Sequence, residues 1–243
     1  MSEKVAVVIP SRYASSRFPG KPLALLCGRP MVQHVYEKAA ASSADMVLVA
    51  TDDDRIYNAV EAFGGKAVMT SENHPSGTDR IAEAVRNCGE TVDIIINVQG
   101  DEPLIPTSVI DELIDIMKKD PSIAMATVGV PDERERMTEN NVKVVFGADN
   151  YALYFSRSMI PFHRAGGTEV PPYLHWGIYA YRRETLERFV QLPPGKLEEC
   201  EKLEQLRALE NGIRIYVHVS NLTSIGIDIP ADLELAEKKL RGE

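Results

Sequence analysis

"DIIINVQGDEP", residues 93–103, joins an apolar run directly to a short polar loop. The isoleucines and the valine of the run are typical of a strand that is buried on both faces of a parallel sheet. The loop starts with Gln99 and carries Asp101 and Glu102. Ligands of open α/β sheets bind outside the carboxyl ends of the strands. The stretch therefore predicts a central strand that ends in a candidate binding loop.

Strands and amphipathic helices alternate on both sides of this stretch. Three earlier apolar runs predict strands at Val5–Ile9, Met46–Ala50 and Ala67–Met69. Helical spacing of apolar residues predicts helices at Met31–Ala40, Ile56–Phe63, Ile81–Val85 and Val109–Met117. This alternation predicts an α/β fold that is doubly wound, with a largely parallel, mixed sheet, helices on both faces and right-handed crossovers.

The second half of the chain is less regular. Its apolar runs predict strands in "MATVGVP", "VKVVFG", "YALYFSR", "HWGIYAYR" and "IRIYVHV". Helices are predicted at Arg183–Val190, Glu201–Glu210 and Pro230–Leu240, and loops at Pro161–Pro172 and Pro193–Gly195. His175 is expected just before a strand, beside Trp176, where it could touch a ligand. No internal repeat or clear linker interrupts the chain, so a single domain over residues 1–243 is expected.

The composition limits the partners of the protein. Its 243 residues are 44% hydrophobic, which is enough to bury the core of one domain. The formal net charge of −9 disfavours nucleic acid or an anionic membrane as the main partner. The three cysteines form no C-x-x-C pair, so they predict neither a disulfide framework nor a zinc site. Each is expected to be a small, buried or half-buried hydrophobe in a reducing compartment.

The start of the chain concentrates positive charge. Residues 1–38 contain six lysines or arginines and two glutamates, so we expect this acidic protein to direct its cations at a small anion. The same residues form no charged-then-apolar leader, and no run in the chain is apolar over the length of a membrane span. These features predict a cytoplasmic protein with no membrane partner.

The loop Pro10–Pro22 contains three of these cations, Arg12, Arg17 and Lys21. Its spacing fits neither the P-loop pattern G-x-x-x-x-G-K-[ST] nor the dinucleotide fingerprint G-x-G-x-x-G. Three cations directly after a buried strand still favour phosphate as the ligand. Because Mg²⁺ prefers one or two carboxylates plus phosphate oxygens, the pair Asp101 and Glu102 at another strand end indicates a polyphosphate bound with a divalent metal.

Several polar residues at strand ends have simpler interpretations as well. Asp52 and Asp53 fit turn and helix-cap roles better than metal ligation. Residues 75–79, "PSGTD", are typical of a turn and an N-cap, although Ser76 could also donate to a nucleotide. Asp228 alone is more typical of a cap, and "GDEP" alone is equally consistent with an ordinary turn. No Ser/His/Asp arrangement follows from the spacing.

Seven stretches, in order along nearly the whole chain, resemble the 3-deoxy-manno-octulosonate cytidylyltransferases, or CMP-Kdo synthetases. They are "IPSRYASSRFPGKPL", "HPSGTDR", "NVQGDEPLI", "YALYFSRSMIPF", "HWGIYAYRRETL", "KLEQLRALENG" and "IGIDIPADLE". The resemblance implies transfer of CMP from CTP to Kdo, an acidic eight-carbon sugar, for lipopolysaccharide biosynthesis. It implies a nucleotide-diphospho-sugar transferase-like fold and a homodimer formed through an irregular, β-rich insertion in the second half. Residues from about 1 to 130 would bind the nucleotide, and residues from about 131 to 243 the sugar and the second subunit.

The resemblance also implies roles for particular residues, by motif match. The triphosphate would be held by Arg12, Arg17 and Lys21, the cytidine by Ser76 and Arg80, and Mg²⁺ by Asp101 and Asp228. The sugar site would comprise Gln99, Arg157, His175, Tyr179, Glu204 and Gln205. The implied catalytic set is Arg12, Lys21, Asp101 and Asp228.

Two alternatives stay open at this point. The substrate could be a related acidic sugar, such as 8-amino-Kdo or sialic acid, because one sequence does not define the geometry of the sugar site. Trp176, where the family commonly has a small aliphatic residue, leaves the shape of that site open. The protein could also be a catalytically silent nucleotide-sugar-binding module. Retention of both Asp101 and Asp228 with the three cations argues against a silent module.

Overall fold

A computed structural model of the protein describes residues 3–14, 18–133, 137–222, 224, 226–227 and 229–241. The chain forms two compact units. The first unit comprises Met1–Ile116 and Thr223–Glu243, and the second comprises Met117–Leu222. The C-terminal segment therefore belongs with the N-terminal half of the chain.

The first unit alternates strands and helices along the chain. Its elements are β1 (Val5–Ser11), β2 (Leu25–Leu26), β3 (Arg29–Pro30), α1 (Met31–Ala40), β4 (Met46–Thr51), α2 (Asp54–Ala62), β5 (Ala67–Met69), α3 (Gly77–Asn87), β6 (Ile94–Asn97) and α4 (Thr107–Lys119), which ends in the second unit. A 3₁₀ turn at Lys21–Leu23 precedes β2, and the last helix of the chain (Pro230–Arg241) also lies in this unit. The four predicted strand–helix repeats are confirmed.

The main strands of the first unit pair in the order β6–β1–β4–β5, and every pair is parallel. Val5–Ile9 is completely buried, as the continuous apolar run predicts for a strand covered on both faces. Ser11, the last residue of β1, lies opposite Thr51, the last residue of β4. Because the strands are parallel, their carboxyl ends and the loops that follow them lie along one edge of the sheet.

The second unit is richer in antiparallel pairs. It contains β7 (Met125–Pro131), β8 (Lys143–Phe146), β9 (Ala152–Ser156), β10 (Tyr173–Arg182), α5 (Arg183–Phe189), α6 (Lys196–Glu201), α7 (Gln205–Glu210) and β11 (Ile215–Val219). The final helix, Pro230–Arg241, is α8. Strand β7 pairs in parallel with β11 and antiparallel with β10. Strand β8 pairs antiparallel with the start of β10 and with β9. The predicted α/β fold with a mixed, mostly parallel sheet is confirmed.

The structure corrects two local expectations. The helix expected over Glu201–Glu210 begins only at Gln205, and Glu201 is instead the last residue of α6. Lys202 has a φ of 55°, and a left-handed residue cannot continue a right-handed helix. The expectation that all three cysteines are buried or half-buried is wrong for Cys27 and Cys200, which are exposed. Cys27 lies in the tight turn between β2 and β3, and Cys200 lies in α6, which buries no residue. No helix among the described residues combines the length and apolar character needed to cross a membrane.

Candidate functional site

A cavity of about 270 Å³ opens in the first unit at the carboxyl ends of its strands. Three loops that the sequence analysis selected contribute to its walls: the loop after β1, the loop before α3 and the loop after β6. Six of the predicted site residues line it, namely Arg12, Lys21, Ser76, Arg80, Gln99 and Asp101. Residues up to about 90 positions apart in sequence are thus brought to one cavity.

Lys21 and Asp101 form an ion pair in this cavity. The Lys21 ammonium donates to Asp101 Oδ2 over 2.7 Å and to the carbonyl of Ile227 over 2.9 Å. Both charged side chains are partly shielded from solvent, with exposed fractions of 15% and 34%. A predicted phosphate-binding cation therefore lies beside a predicted metal ligand.

Arg80, which also lines the cavity, is held in place by hydrogen bonds. Its side chain is almost completely buried, and its two terminal nitrogens donate to Thr70 Oγ1 and to Asp52 Oδ2, each over 2.6 Å. Thr70 Oγ1 in turn donates to the carbonyl of Thr51. Asp52 is therefore more than the turn residue that its position suggested, because it neutralises and orients an arginine on the cavity wall.

Helix α3 begins at the cavity. Ser76 is its N-cap: Ser76 Oγ accepts from the backbone N–H of Asp79 over 3.2 Å and donates to Asp79 Oδ2 over 2.7 Å. Gly77, the first residue of the helix, also lines the cavity. The positive end of the helix dipole lies at this terminus, which favours a polar or anionic ligand.

Three lining residues were missed by sequence reasoning, Ser11, His74 and Gly100. His74 Nε2 lies within hydrogen-bonding distance of Glu83 Oε2 on α3. The backbone N–H of Ser71 is the main cause that lowers the pKa of Glu83, and His74 acts in the same direction. The signal for His74 was its place in "HPSGTD", but a histidine in a polar loop is ordinarily a solvated residue.

Three of the six predicted sugar-site residues, His175, Tyr179 and Glu204, lie near one another in the second unit. The rings of His175 and Tyr179, both on β10, have centroids 5.4 Å apart. Glu204 lies near enough to contribute to the raised pKa of Tyr179, although burial is the main cause. Gln205 follows in α7, is buried, and has a side-chain nitrogen with no hydrogen-bond partner among the described residues. These side chains offer hydroxyl, carboxylate and amide groups suited to a polyhydroxylated ligand.

His175 does not precede a strand as expected but lies inside β10. Its Nε2 lies 3.0 Å from Thr127 Oγ1, which has a single proton and lies 2.8 Å from the carbonyl of Ile178. If that proton goes to the carbonyl, Nε2 must be the donor to Thr127 and Nδ1 is the ring's acceptor. Burial lowers the pKa of His175 to about 3, so the ring is neutral near pH 7.

Arg157 belongs to a second cavity in this unit, which Glu139, Lys143 and Lys202 also line. Its backbone N–H donates to the Glu201 carboxylate, and its Nε donates to the Glu201 carbonyl, both over 2.8 Å. Among the described contacts, the hydrogen bonds that Arg157 donates go to Glu201 and Glu139 and not to His175 or Tyr179.

Two predicted residues, Arg17 and Asp228, lie outside the described residues. Within the described part of the chain, no three His, Cys, Asp or Glu side chains form a group that could hold a metal by themselves. Asp101 is the described carboxylate of the predicted pair. A site of one or two carboxylates completed by ligand phosphates, as the sequence predicted, does not require such a group.

Known proteins resemble the chain over its whole length. The profile of the cytidylyltransferase family matches residues 6–215. A 3-deoxy-manno-octulosonate cytidylyltransferase from Thermodesulfovibrio yellowstonii is 54% identical, with 96% of each chain covered. An 8-amino-3,8-dideoxy-manno-octulosonate cytidylyltransferase from Shewanella pealeana is 52% identical, over 97% of this chain and 98% of that one. A solved CMP:2-keto-3-deoxy-manno-octonic acid synthetase complexed with CTP superposes with a TM-score of 0.94 at 44% identity, with 99% of each chain covered.

Proposed function

Because the chain belongs to the cytidylyltransferase family, we propose that it transfers CMP from CTP to 3-deoxy-manno-octulosonate (Kdo). The products are CMP-Kdo and pyrophosphate, and the activated sugar would enter lipopolysaccharide biosynthesis. The observation that carries this proposal is the cavity in the first unit, where Lys21 and Asp101 pair at one wall and Arg80 and the start of α3 form another.

The cavity offers separate environments for the two ends of CTP. Arg12 and Lys21 supply positive charge for the triphosphate, and Arg17, in the same loop, is proposed as a third cation. Ser76 and the buried Arg80 are proposed to hold the cytidine. Because Asp52 and Thr70 fix the Arg80 guanidinium before any ligand arrives, binding loses little side-chain entropy at this residue.

The reaction is an in-line attack of a sugar hydroxyl on the α-phosphorus, with pyrophosphate as the leaving group. Such chemistry depends on positioning and on neutralising charge more than on covalent catalysis. Lys21 is proposed to offset the negative charge that accumulates on the departing pyrophosphate. To do so its ammonium exchanges Asp101 for a phosphate oxygen, a change of partner within the same cavity.

The donor set fits Mg²⁺. Asp101 supplies a partly shielded carboxylate at a cavity that would receive phosphate oxygens, and the hydrogen bond from Lys21 shows that the position already accommodates a cation. Asp101 and Asp228 are proposed to hold the ion. When bound, Mg²⁺ would polarise the α-phosphate and lower the pKa of the attacking hydroxyl.

The second unit is proposed to recognise the sugar. His175, Tyr179 and Glu204 lie near one another, and Gln205 follows Glu204 at the start of α7. These residues offer neutral and acidic hydrogen-bonding groups, and Arg157 offers a cation for the sugar carboxylate. Gln99, which lines the first cavity, completes the proposed set. The alternative substrate is 8-amino-Kdo, because a relative of nearly equal identity is named for that sugar.

One assay tests the function and separates these substrates. Release of pyrophosphate from CTP and Mg²⁺ should occur with Kdo at a higher kcat/KM than with 8-amino-Kdo or sialic acid. A higher kcat/KM with 8-amino-Kdo would reassign the substrate. No release with any of the three sugars would favour a silent binding module.

Asp101→Asn should lower kcat by about 10²-fold, because it removes a charge that acts on the reacting phosphate. Asp53→Asn is the matched control, since Asp53 lies at the next strand end but caps α2 and pairs with Arg55. Asparagine also caps helices well, so this variant should retain kcat within about twofold. Near-normal turnover of Asp101→Asn at saturating Mg²⁺ would remove Asp101 from the catalytic set.

A further inference from the structure

Ser11 is a buried polar residue in the wall of the proposed nucleotide cavity that neither motif nor family resemblance singled out. It is the last residue of β1, with an exposed fraction of 2%, and it lines the cavity between Pro10 and Arg12. Its hydroxyl oxygen is buried and has no hydrogen-bond partner among the described residues.

The neighbouring strand end shows that such a hydroxyl can be satisfied within the protein. Thr51 occupies the equivalent position at the end of β4, directly opposite Ser11. Its Oγ1 accepts from the backbone N–H of Asp53 over 3.3 Å. Buried hydroxyls are usually paired in this way, and one that is not costs free energy. Ser11 therefore needs a partner from outside the described protein groups.

The surroundings of Ser11 pack closely around its hydroxyl. A Cβ atom built on Gly100 would lie 2.9 Å from Ser11 Oγ and 3.0 Å from the carbonyl of Pro10. The backbone before Asp101 thus approaches the hydroxyl as closely as glycine permits, and a larger residue would displace it. Arg12 directly follows Ser11 in the sequence, and Asp101 directly follows Gly100. Both residues also line the cavity. The hydroxyl is held next to the groups that are proposed to bind CTP.

We propose that Ser11 is a further nucleotide-binding residue whose hydroxyl hydrogen-bonds to a polar group of bound CTP. The inference rests on the proposed function, because it takes CTP as the occupant of the cavity. A serine hydroxyl donates one hydrogen bond and accepts others, so phosphate, ribose and base oxygens all qualify as its partner. The binding of CTP then satisfies a hydroxyl that is unsatisfied in the free protein.

The test compares Ser11→Ala with a matched serine. Ser220 directly follows β11, has an exposed fraction of 4%, and its Oγ accepts from the backbone N–H of Leu222. Calorimetric titration with CTP should give Ser11→Ala a Kd about five- to tenfold above that of the wild type, the loss of one hydrogen bond. Ser220→Ala should keep the wild-type Kd.

Thermal unfolding without nucleotide gives the second measurement. Here the substitution that weakens CTP binding is not expected to weaken the folded protein. Ser11→Ala should leave Tm unchanged or raise it, because it removes an unsatisfied polar group, whereas Ser220→Ala should lower Tm. A CTP affinity of Ser11→Ala within twofold of the wild type would overturn the inference, and so would a lowered Tm of the free variant. If the wild type itself does not bind CTP, the proposed function fails and this inference with it.

Discussion

Lys143 carries a positive charge into the interior of the second unit. Its exposed fraction is 1%, and its ammonium donates to the carbonyls of Thr138, Asn141 and Arg157. Burial lowers the pKa of Lys143. The three N–H groups of one ammonium thus connect the loop before β8 with the end of β9. Arg157, which is proposed to bind the sugar, directly follows β9.

Lys143→Met should destabilise the protein by about 2–3 kcal/mol, because three carbonyls lose a charged donor. Urea unfolding measures the effect. The control is Lys66→Met, since Lys66 is a surface residue whose ion pair with Glu90 is open to solvent and should contribute little. Equal stabilities of the two variants would show that the buried ammonium does not hold the loop.

Gly20 directly precedes Lys21 in the turn that leads to the cavity. It has a φ of 70°, its N–H donates to the carbonyl of Tyr13 over 2.9 Å, and an added Cβ would lie 3.0 Å from the Tyr13 ring. The conformation and the contact both disfavour a side chain. The turn that delivers Lys21 to the cavity therefore depends on glycine.

Gly20→Ala should cost about 1–2 kcal/mol of stability from backbone strain and raise the Kd for CTP. Gly64→Ala is the control, because Gly64 has a similar φ of 80° with no atom within 4 Å of an added Cβ. It carries the same strain without a clash, so it should lose stability and bind CTP normally. If both variants bind CTP as the wild type does, the position of Lys21 does not depend on this turn.

Strand β10 brings together residues that a regular strand would separate. Residues four apart on a strand lie about 13 Å from one another, yet the rings of His175 and Tyr179 have centroids 5.4 Å apart. The pairing of β10 with β7 is irregular between Trp176 and Tyr179, so that residues 177 and 178 have no partner in the register. This bulge creates the polar cluster.

The same strand makes the protein sensitive to acid. The pKa of His175 is about 3 in the folded protein, against about 6.5 in an unfolded chain. Between these values the unfolded chain takes up a proton that the folded protein does not. Stability contributed by neutral His175 is therefore present above pH 6.5 and falls as the pH drops below it, by at most about 1.4 kcal/mol per pH unit.

His175→Gln removes this titration, so its free energy of unfolding should fall less than that of the wild type between pH 7 and pH 5. Chemical unfolding at a series of pH values measures both. Parallel pH profiles would mean that the histidine is protonated as readily in the folded protein as in the unfolded chain.

The second unit exposes large apolar side chains. Leu153 on β9 is 67% exposed, and Phe162 and Val170, in the segment between β9 and β10, are 86% and 45% exposed. Exposed apolar side chains of this size can form an association surface. We propose that they contribute to a homodimer, as the family resemblance implies.

Sedimentation velocity should give a dimer for the wild type and a monomer for the double variant Leu153→Asp, Phe162→Asp. Leu25→Asp is the matched control, because Leu25 is 62% exposed but lies in the first unit, and this variant should remain dimeric. A monomeric wild type, or a double variant that stays dimeric, would contradict the assignment of this surface.

Sequence reasoning succeeded where local pattern and topology suffice. The apolar runs and helical spacings predicted each strand–helix repeat of the first unit. Placing Arg12, Lys21 and Asp101 at strand ends predicted their convergence, because the carboxyl ends of parallel strands share one edge of a sheet. The family motifs added the nucleotide and the sugar, which no periodicity contains.

Contacts between residues far apart in sequence could not be predicted from local pattern. The bond between Asp52 and Arg80, the unsatisfied hydroxyl of Ser11 and the place of His175 within a bulged strand each depend on which segments become neighbours. A residue's sequence context specifies its chemical groups and its backbone preference. The partners of those groups are set by packing between segments tens of residues apart. The amino-acid sequence therefore determined which chemical groups the site contains, and only the tertiary structure decided which of them contact one another.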